Sequence, residues 1–115
     1  MRFLITMTDL EGTWDALPEA EQQTILAKHT EYENALRAEG RLLATGHCHP
    51  RSEAVTVRQD DAGGVDVEAG PYHDRSEYMG GFYVIEAGST EEAVEWARRG
   101  RFMPGANEVR ELYGD

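Results

Sequence analysis

The sequence predicts an α+β fold in which two helices cover one face of an antiparallel sheet. Short β-branched and aromatic runs alternate with two longer stretches that have helical spacing. Once one hairpin is set aside, the element order is β-α-β-β-α-β, which is the split βαβ order of ferredoxin-like folds. At 115 residues the chain has the size of one domain, which we expect to span residues 1–115.

The first half of the chain predicts a strand, a helix and a second strand. Residues 3–8 (Phe-Leu-Ile-Thr-Met-Thr) are apolar and β-branched, as is typical of a strand. Residues 18–39 predict a helix, because Pro18 suits its first turn and Gly40 its end. Apolar and aromatic side chains recur on one stripe of this helix at Ile25, His29, Tyr32 and Leu36. Residues 41–47 predict the second strand.

A β-hairpin and a central strand follow. Residues 53–59 and 65–68 predict the two hairpin strands, and the turn cluster Asp-Asp-Ala-Gly-Gly at residues 60–64 joins them. Residues 81–86 (Gly-Phe-Tyr-Val-Ile-Glu) are the most β-prone run in the chain. We therefore expect them to form a central strand of the sheet.

The last two elements are a short helix and a closing strand. Residues 90–99 predict the helix, with Ser89 as its N-cap and Glu92 completing a capping box. Residues 107–113 predict the last strand. Since both helices lie on one face of the sheet, the other face needs a cover. A second copy of the chain would supply it, so the sequence predicts a homodimer.

Composition limits the classes of partner. The chain has 22 acidic and 11 basic residues, a formal charge of −11, which disfavours nucleic acid and anionic membranes. No apolar run is long enough to span a bilayer, and the one cysteine, Cys48, cannot form an internal disulfide. We therefore expect a cytoplasmic protein. No phosphate-binding or dinucleotide motif is present, so no cofactor is expected.

Several segments resemble the YCII-related family. They are Leu-Arg-Ala-Glu-Gly-Arg-Leu-Leu-Ala-Thr-Gly at residues 36–46, Met-Gly-Gly-Phe-Tyr-Val-Ile-Glu-Ala at 79–87, and Glu-Glu-Ala-Val-Glu-Trp-Ala at 91–97. Residues 54–58 and 69–72 resemble the branch named for its Asp-Gly-Pro-Phe motif. Here that motif is degenerate and reads Ala-Gly-Pro-Tyr, so its aspartate is missing.

The resemblance implies a dimeric α+β barrel with a site that pairs a histidine of the first helix with an aspartate. Some relatives eliminate chloride from chlorinated ring-cleavage compounds, and the motif branch is associated with extracytoplasmic sigma factors. His29 falls where the family histidine is expected. Because Ala69 replaces the motif aspartate, Asp74 or Glu77 in the loop that follows could substitute for it, and Asp74 is our candidate for the partner of His29.

His29 is also the best catalytic candidate when the sequence pattern is considered without the resemblance. It lies on the apolar stripe, points towards the sheet, and titrates near neutral pH. A buried histidine that donates to a backbone carbonyl would show the same pattern, so that interpretation stays open. The residues expected to line a pocket for a small molecule are Tyr32, Tyr72, His73, Arg75 and Phe82.

His47, Cys48 and His49 form a further cluster. Side chains 47 and 49 of an extended strand share a face, which makes the two histidines weak candidates for metal ligands. No third ligand is fixed by the sequence, so we expect no metal site. Cys48 should point the other way as a small buried side chain.

Two hypotheses follow. The first is a cofactor-independent lyase or isomerase that acts on a small polar cyclic compound through His29 and Asp74. The alternative is a non-catalytic binding or accessory module, linked to transcriptional regulation, that uses its dimer and acidic surface for protein contacts.

Overall fold

The computed structural model describes residues 1–114. In this range the chain forms two α-helices, six strands and a short 3-10 helix at Arg51–Glu53. The elements are β1 (Arg2–Leu10), α1 (Glu19–Ala38), β2 (Leu42–His47), β3 (Val55–Gln59), β4 (Val65–Ala69), β5 (Glu77–Glu86), α2 (Thr90–Arg99) and β6 (Asn107–Glu111).

Four strands form one antiparallel sheet in the order β2-β5-β1-β6. The strands β3 and β4 pair only with each other, as a separate two-stranded sheet. Without this hairpin the order along the chain is β-α-β-β-α-β. The predicted α+β fold, ferredoxin-like with an inserted hairpin, is therefore confirmed.

The core lies between the two helices and the sheet. From α1, Tyr32 and Leu36 are buried, while Ile25 and His29 are half-buried, so the predicted stripe faces inward. The buried core side chains are Phe3, Ile5, Tyr32, Leu36, Tyr83, Ile85, Ala87, Ala93, Trp96 and Ala97. Opposed positions in the register, such as Phe3 with Ile85, share the face that the helices cover.

The second helix has the predicted bounds and the predicted cap. The hydroxyl of Ser89 accepts a hydrogen bond from the backbone N–H of Glu92 at 3.1 Å. The carboxylate of Glu92 reaches back to the N–H of Gly88 at 3.0 Å. Both ends of the capping box thus satisfy backbone donors that the helix leaves unpaired.

The central strand is longer than predicted. It begins at Glu77, because β1 extends to Leu10 and pairs with β5 along this whole length. A register shift between Met7 and Thr8 of β1 lies opposite Gly80. The irregularity is a β-bulge, and the Asp9 carboxylate lies against it at Gly80.

The molecule is flat. Its principal extents are 47 × 44 × 18 Å and its radius of gyration is 16.3 Å, whereas a compact domain of 100 residues has about 13 Å. Two features account for this shape: one face of the sheet carries no helix, and the β3–β4 hairpin extends from the body. An uncovered sheet face is what the predicted homodimer requires, and the dimer stays a prediction.

No helix within residues 1–114 is both long and apolar enough to cross a lipid bilayer.

Candidate functional site

His29 lies on the inner side of α1, next to the segment that follows α2. Its ring meets the ring of Phe102 edge to face, with the centroids 4.8 Å apart. The side chain is half-buried, and this burial is the main reason why the pKa of His29 is lowered from its ordinary value of 6.5. The imidazole is therefore predominantly neutral at pH 7, as a general base must be.

Four charged or ionisable side chains act on that imidazole. The carboxylates of Glu33 and Asp9 raise the pKa of His29, while His47 and Arg101 lower it. Glu33 lies one helical turn further along α1, whereas Asp9 belongs to β1, His47 ends β2, and Arg101 follows α2. We call these five residues, with His29 included, the His29 cluster.

Two adjacent glycines of β5 allow close approaches that a side chain would prevent. A methyl group at Gly80 would overlap the carboxylate of Asp9, because that side chain lies directly over the bulge of β5. A methyl group at Gly81 would stand 2.9 Å from the carbonyl oxygen of Gly46 in β2. The pair Gly80-Gly81 therefore serves two close approaches, one by a side chain and one by a neighbouring strand.

Glu33 is held in place by a second inward residue. The hydroxyl of Tyr83 donates to the carboxylate of Glu33 at 3.0 Å. Burial and the adjacent carboxylate both raise the pKa of Tyr83. Arg37 pairs with the same carboxylate at 3.6 Å from the next turn of α1. Tyr83 is thus a neutral donor at physiological pH, and Glu33 is fixed from two sides.

Arg101 is one of three cluster residues that the sequence did not indicate; the others are Asp9 and Glu33. All five of its N–H donors are used, chiefly on backbone carbonyls. The acceptors are the carbonyl oxygens of Thr8, Met103, Pro104 and Ala106 and the amide oxygen of Asn107, at 2.7–3.3 Å. An arginine that follows a helix end is usually solvated, so no local pattern predicts this role.

These bonds tie three parts of the chain together. Arg101 joins the end of β1 to the loop that leads into β6, and Gly105 (φ 139°) passes where a side chain would strike the guanidinium. The loop that carries Phe102 is fixed in consequence. Arg101 therefore positions the ring that packs on His29.

The structure does not bring Asp74 to His29. Asp74 is exposed in the loop between β4 and β5, and it is not among the groups that act on the pKa of His29. Its neighbour Arg75 is also exposed, and the carbonyl of Arg75 accepts a hydrogen bond from Arg51 at 2.6 Å. The carboxylates that act on the pKa of His29 are those of Glu33 and Asp9.

Tyr32 and Phe82 lie in two different places. The hydroxyl of Tyr32 donates to the carbonyl of Trp96 at 2.7 Å, and burial raises the pKa of Tyr32 to about 12. Tyr32 is therefore a core residue that links the two helices. Phe82 alternates with Tyr83 along β5 and packs against Gly46 on the face that carries no helix.

Tyr72 and His73 line an open cavity of about 460 Å³ between the base of the hairpin and the sheet. Their rings meet edge to face at 4.5 Å, and His29 is not among the lining residues. Cys48 also lines this cavity and is exposed, so the prediction that it is buried is wrong. It lies just past the end of β2, where no second layer covers the strand.

His47 is the last residue of β2, and His49 lies beyond the strand, in the segment that leads to the 3-10 helix. The exposed ring of His49 lies 3.4 Å from the carboxylate of Glu53. Within residues 1–114, no group of three or more His, Cys, Asp or Glu side chains is arranged to hold a metal ion.

Comparison with known families decides the family. The YCII-related domain matches residues 1–113 of this chain. The chain belongs to the YCII-related family. No curated protein matches this YCII-related chain significantly.

Proposed function

We propose that this YCII-related protein is a cofactor-independent lyase or isomerase in which His29 acts as the general acid and base. One observation carries the proposal: a half-buried imidazole with a lowered pKa lies among two carboxylates and a second imidazole. Perturbed titratable groups that converge from several elements are typical of sites that move protons.

The chemistry is a proton transfer at carbon. Neutral His29 takes a proton from a C–H bond of the ligand, and the electron pair left behind forms a C=C bond. In a lyase, that pair expels a leaving group from the adjacent carbon. In an isomerase, that pair shifts an adjacent double bond of the ligand, and the carbon at the far end of that double bond takes the proton back from the imidazolium.

The carboxylates of Asp9 and Glu33 support this step. Both raise the pKa of His29, so both stabilise the imidazolium that forms when the proton arrives. His47 ends β2 with an exposed side chain and acts electrostatically on His29. It is the candidate for the group that protonates a leaving group.

The ligand we propose is a small, polar, cyclic compound. Arg101 cannot clamp a ligand carboxylate, because its five N–H donors already have acceptors. Its positive charge still acts on the cluster. Phe102 offers an apolar ring beside His29, which suits a flat ligand of ring size.

The first test replaces the base. We expect His29→Gln to lose at least about 100-fold in turnover, the usual contribution of a positioned general base. Turnover is measured by proton NMR in D₂O on a panel of keto, hydroxy and lactone ring compounds. Exchange of a C–H proton for deuterium reports the first step even when no product accumulates.

The matched control is His73→Gln, which makes the same change in the exposed loop. We expect its turnover and its melting temperature to stay near those of the wild type. Full activity of a folded His29→Gln protein would contradict the proposal.

A second pair of variants asks which carboxylate takes part. Asp9→Asn should reduce turnover, because it removes a charge that stabilises the imidazolium. Asp74→Asn makes the same change in the exposed loop. If turnover falls in Asp74→Asn and not in Asp9→Asn, the partner of His29 is Asp74, as the sequence predicts, and not Asp9.

The alternative is a non-catalytic binding module. It would be favoured if no compound of the panel exchanges a proton while a ring compound still binds with His29 in contact. If the His29→Gln protein also binds that ring compound, the protein is a binding module and not an enzyme that has lost its activity.

A further inference from the structure

The cavity at the base of the β3–β4 hairpin is separate from the His29 cluster. No member of that cluster lines it, and its volume of about 460 Å³ lies within the range of small-molecule sites. Two hydrogen bonds hold the hairpin to the loop that forms the opposite wall. Thr56 donates to the carbonyl of Gly70, and Arg58 donates to the carbonyl of Tyr72, both at 2.8 Å. The walls are therefore fixed by contacts within the chain.

Arg51 is the arginine that lines this cavity. Its guanidinium lies 4.3 Å from the centroid of the Tyr78 ring, which covers one of its faces. The N–H donors lie in the plane of the guanidinium, and Nη1 donates to the carbonyl of Arg75 at 2.6 Å. The carboxylate of Glu11 is exposed and lies 3.9 Å from Nη2, beyond hydrogen-bond distance. Within residues 1–114, the other N–H donors of Arg51 therefore have no acceptor.

These donors suit a carboxylate. The side chain of Arg51 is only 21% exposed, and Arg101, by contrast, uses all of its donors within the chain. A planar carboxylate accepts two parallel N–H bonds from a guanidinium, and such charge-assisted bonds are about twice as strong as neutral ones. A carboxylate ligand would thus satisfy donors that the fold leaves unused.

The charge balance of the cavity differs from that of the whole chain. The chain has 22 acidic and 11 basic residues. The cavity lining holds one carboxylate, that of Glu53, together with Arg51 and two imidazoles. The Glu53 carboxylate is exposed and lies 3.4 Å from the ring of His49. A small anion can therefore bind here although the chain as a whole is acidic.

The walls favour an aromatic ring on that anion. Tyr72 and Tyr78 contribute rings, while Pro50, Pro71 and Met79 contribute apolar atoms. Tyr72 is 68% exposed, so most of its ring is free to pack on a ligand. Aromatic rings attract one another in offset or edge-to-face arrangements, in addition to the gain from burying their apolar area.

We propose that this cavity binds a monocyclic aromatic carboxylate. Arg51 holds the carboxylate, and Tyr72 and Tyr78 pack against the ring. The site does not include His29, so the proposal stands whether or not His29 is catalytic.

The test uses benzoate as the probe and Cys48 as the reporter. Cys48 is the one cysteine of the chain, is exposed and lines the cavity. Iodoacetamide, which is small and uncharged, alkylates it at a rate that intact-protein mass spectrometry measures. Benzoate at ten times its dissociation constant should slow alkylation about tenfold, because the site is then free about one tenth of the time.

Two compounds serve as ligand controls. Benzyl alcohol lacks the charge and inorganic phosphate lacks the ring, so each should slow alkylation less than about twofold at the same concentration. A benzoate dissociation constant above about 10 mM overturns the proposal. Equal protection by all three compounds does the same.

Proton NMR locates the bound benzoate. The ring signals of His49 should move during the titration, because His49 lines the cavity, and those of His29 should stay in place. If the His29 signals move and those of His49 do not, benzoate binds at the His29 cluster and the proposal is wrong.

Arg51→Lys tests the contact with the carboxylate. Lysine keeps the charge but loses the planar pair of donors, so the benzoate dissociation constant should rise about tenfold. Arg58→Lys is the matched control, since Arg58 also donates to a carbonyl of this loop and does not line the cavity. Equal weakening in both variants would place the effect in the loop and contradict the role of Arg51.

Tyr72→Leu tests the contact with the ring. The side chain is exposed, so the fold should survive, and benzoate should bind several-fold more weakly. Tyr113→Leu makes the same change at a fully exposed tyrosine and should bind like the wild type. Far-UV circular dichroism establishes that each variant is folded, and the tyrosine pair decides if Arg51→Lys is not. Unchanged binding by Tyr72→Leu counts against the proposal.

Discussion

At the scale of single residues, His29 shows how one position can satisfy a fold and a site together. It occupies an apolar stripe, yet it is only half-buried, and its ring packs on Phe102. An aliphatic side chain would pack at least as well. The histidine is instead placed where burial lowers its pKa and two carboxylates partly restore it.

This balance predicts how stability depends on pH. The pKa of His29 is below 6.5 in the folded chain, so the unfolded chain binds the proton more tightly. The stability that neutral His29 contributes is fully present above pH 6.5. It is lost as the pH falls through the lowered pKa of His29 in the folded chain. His29→Gln has no such loss, so its free energy of unfolding should fall less than that of the wild type between about pH 7.5 and pH 5.

Urea unfolding of both proteins at the two pH values measures the difference. His73→Gln is the control and should follow the wild type. If acidification instead favours the wild type over His29→Gln, the pKa of His29 is raised in the folded state and our account of its burial is wrong.

At the scale of elements, the bulge in β5 decides where Asp9 stands. A strand with ordinary side chains at positions 80 and 81 could not pass under the Asp9 carboxylate and beside the carbonyl of Gly46. The two glycines thus allow β5 to follow a course that leaves room for the Asp9 carboxylate. The charge of that carboxylate acts on His29 of α1.

Gly80→Ala tests that connection. The added methyl group displaces the Asp9 carboxylate, a movable side chain, so the fold should survive at a cost of about 1–3 kcal/mol. With Asp9 moved, the pKa of His29 should fall further, since a charge that raises it has gone. Proton NMR titration of the His29 ring measures this shift.

Gly88→Ala is the matched control. Its methyl group would meet only the carboxylate of Glu92 at the start of α2. The titration of His29 should be unchanged in this variant. An unchanged titration in Gly80→Ala as well would show that Asp9 does not act on His29.

At the scale of the whole molecule, flatness and net charge oppose each other. A body 18 Å thick with an uncovered sheet face favours association. A formal charge of −11 on each copy opposes it. The surfaces available for association therefore have to be those that carry few charges, such as the exposed hairpin face of Val55, Val57, Val65 and Val67.

Salt should therefore tighten the dimer. Raising the ionic strength from about 0.01 M to about 0.15 M shortens the Debye length from about 30 Å to about 8 Å. Repulsion between the copies weakens, so the dissociation constant should fall several-fold in sedimentation experiments. A dissociation constant that rises with salt would mean that ion pairs, and not apolar packing, hold the copies together.

The sequence by itself determined the elements and their order. The stripe of α1, the Ser89 cap and the turn at residues 60–64 depend on neighbours a few positions apart, and the structure has each of them. Short-range spacing also identified His29 as an inward histidine. The family resemblance, carried by local segments, is confirmed for the same reason.

Only the tertiary structure decided what surrounds His29. Asp9, His47 and Arg101 come from separate elements, and no local pattern relates them to α1. The loop after the degenerate motif suggested Asp74 as the carboxylate, yet the strand order β2-β5-β1-β6 brings the end of β1 to the site instead. The exposure of the hairpin's valines has the same cause, because whether a strand face is covered depends on packing and not on alternation alone.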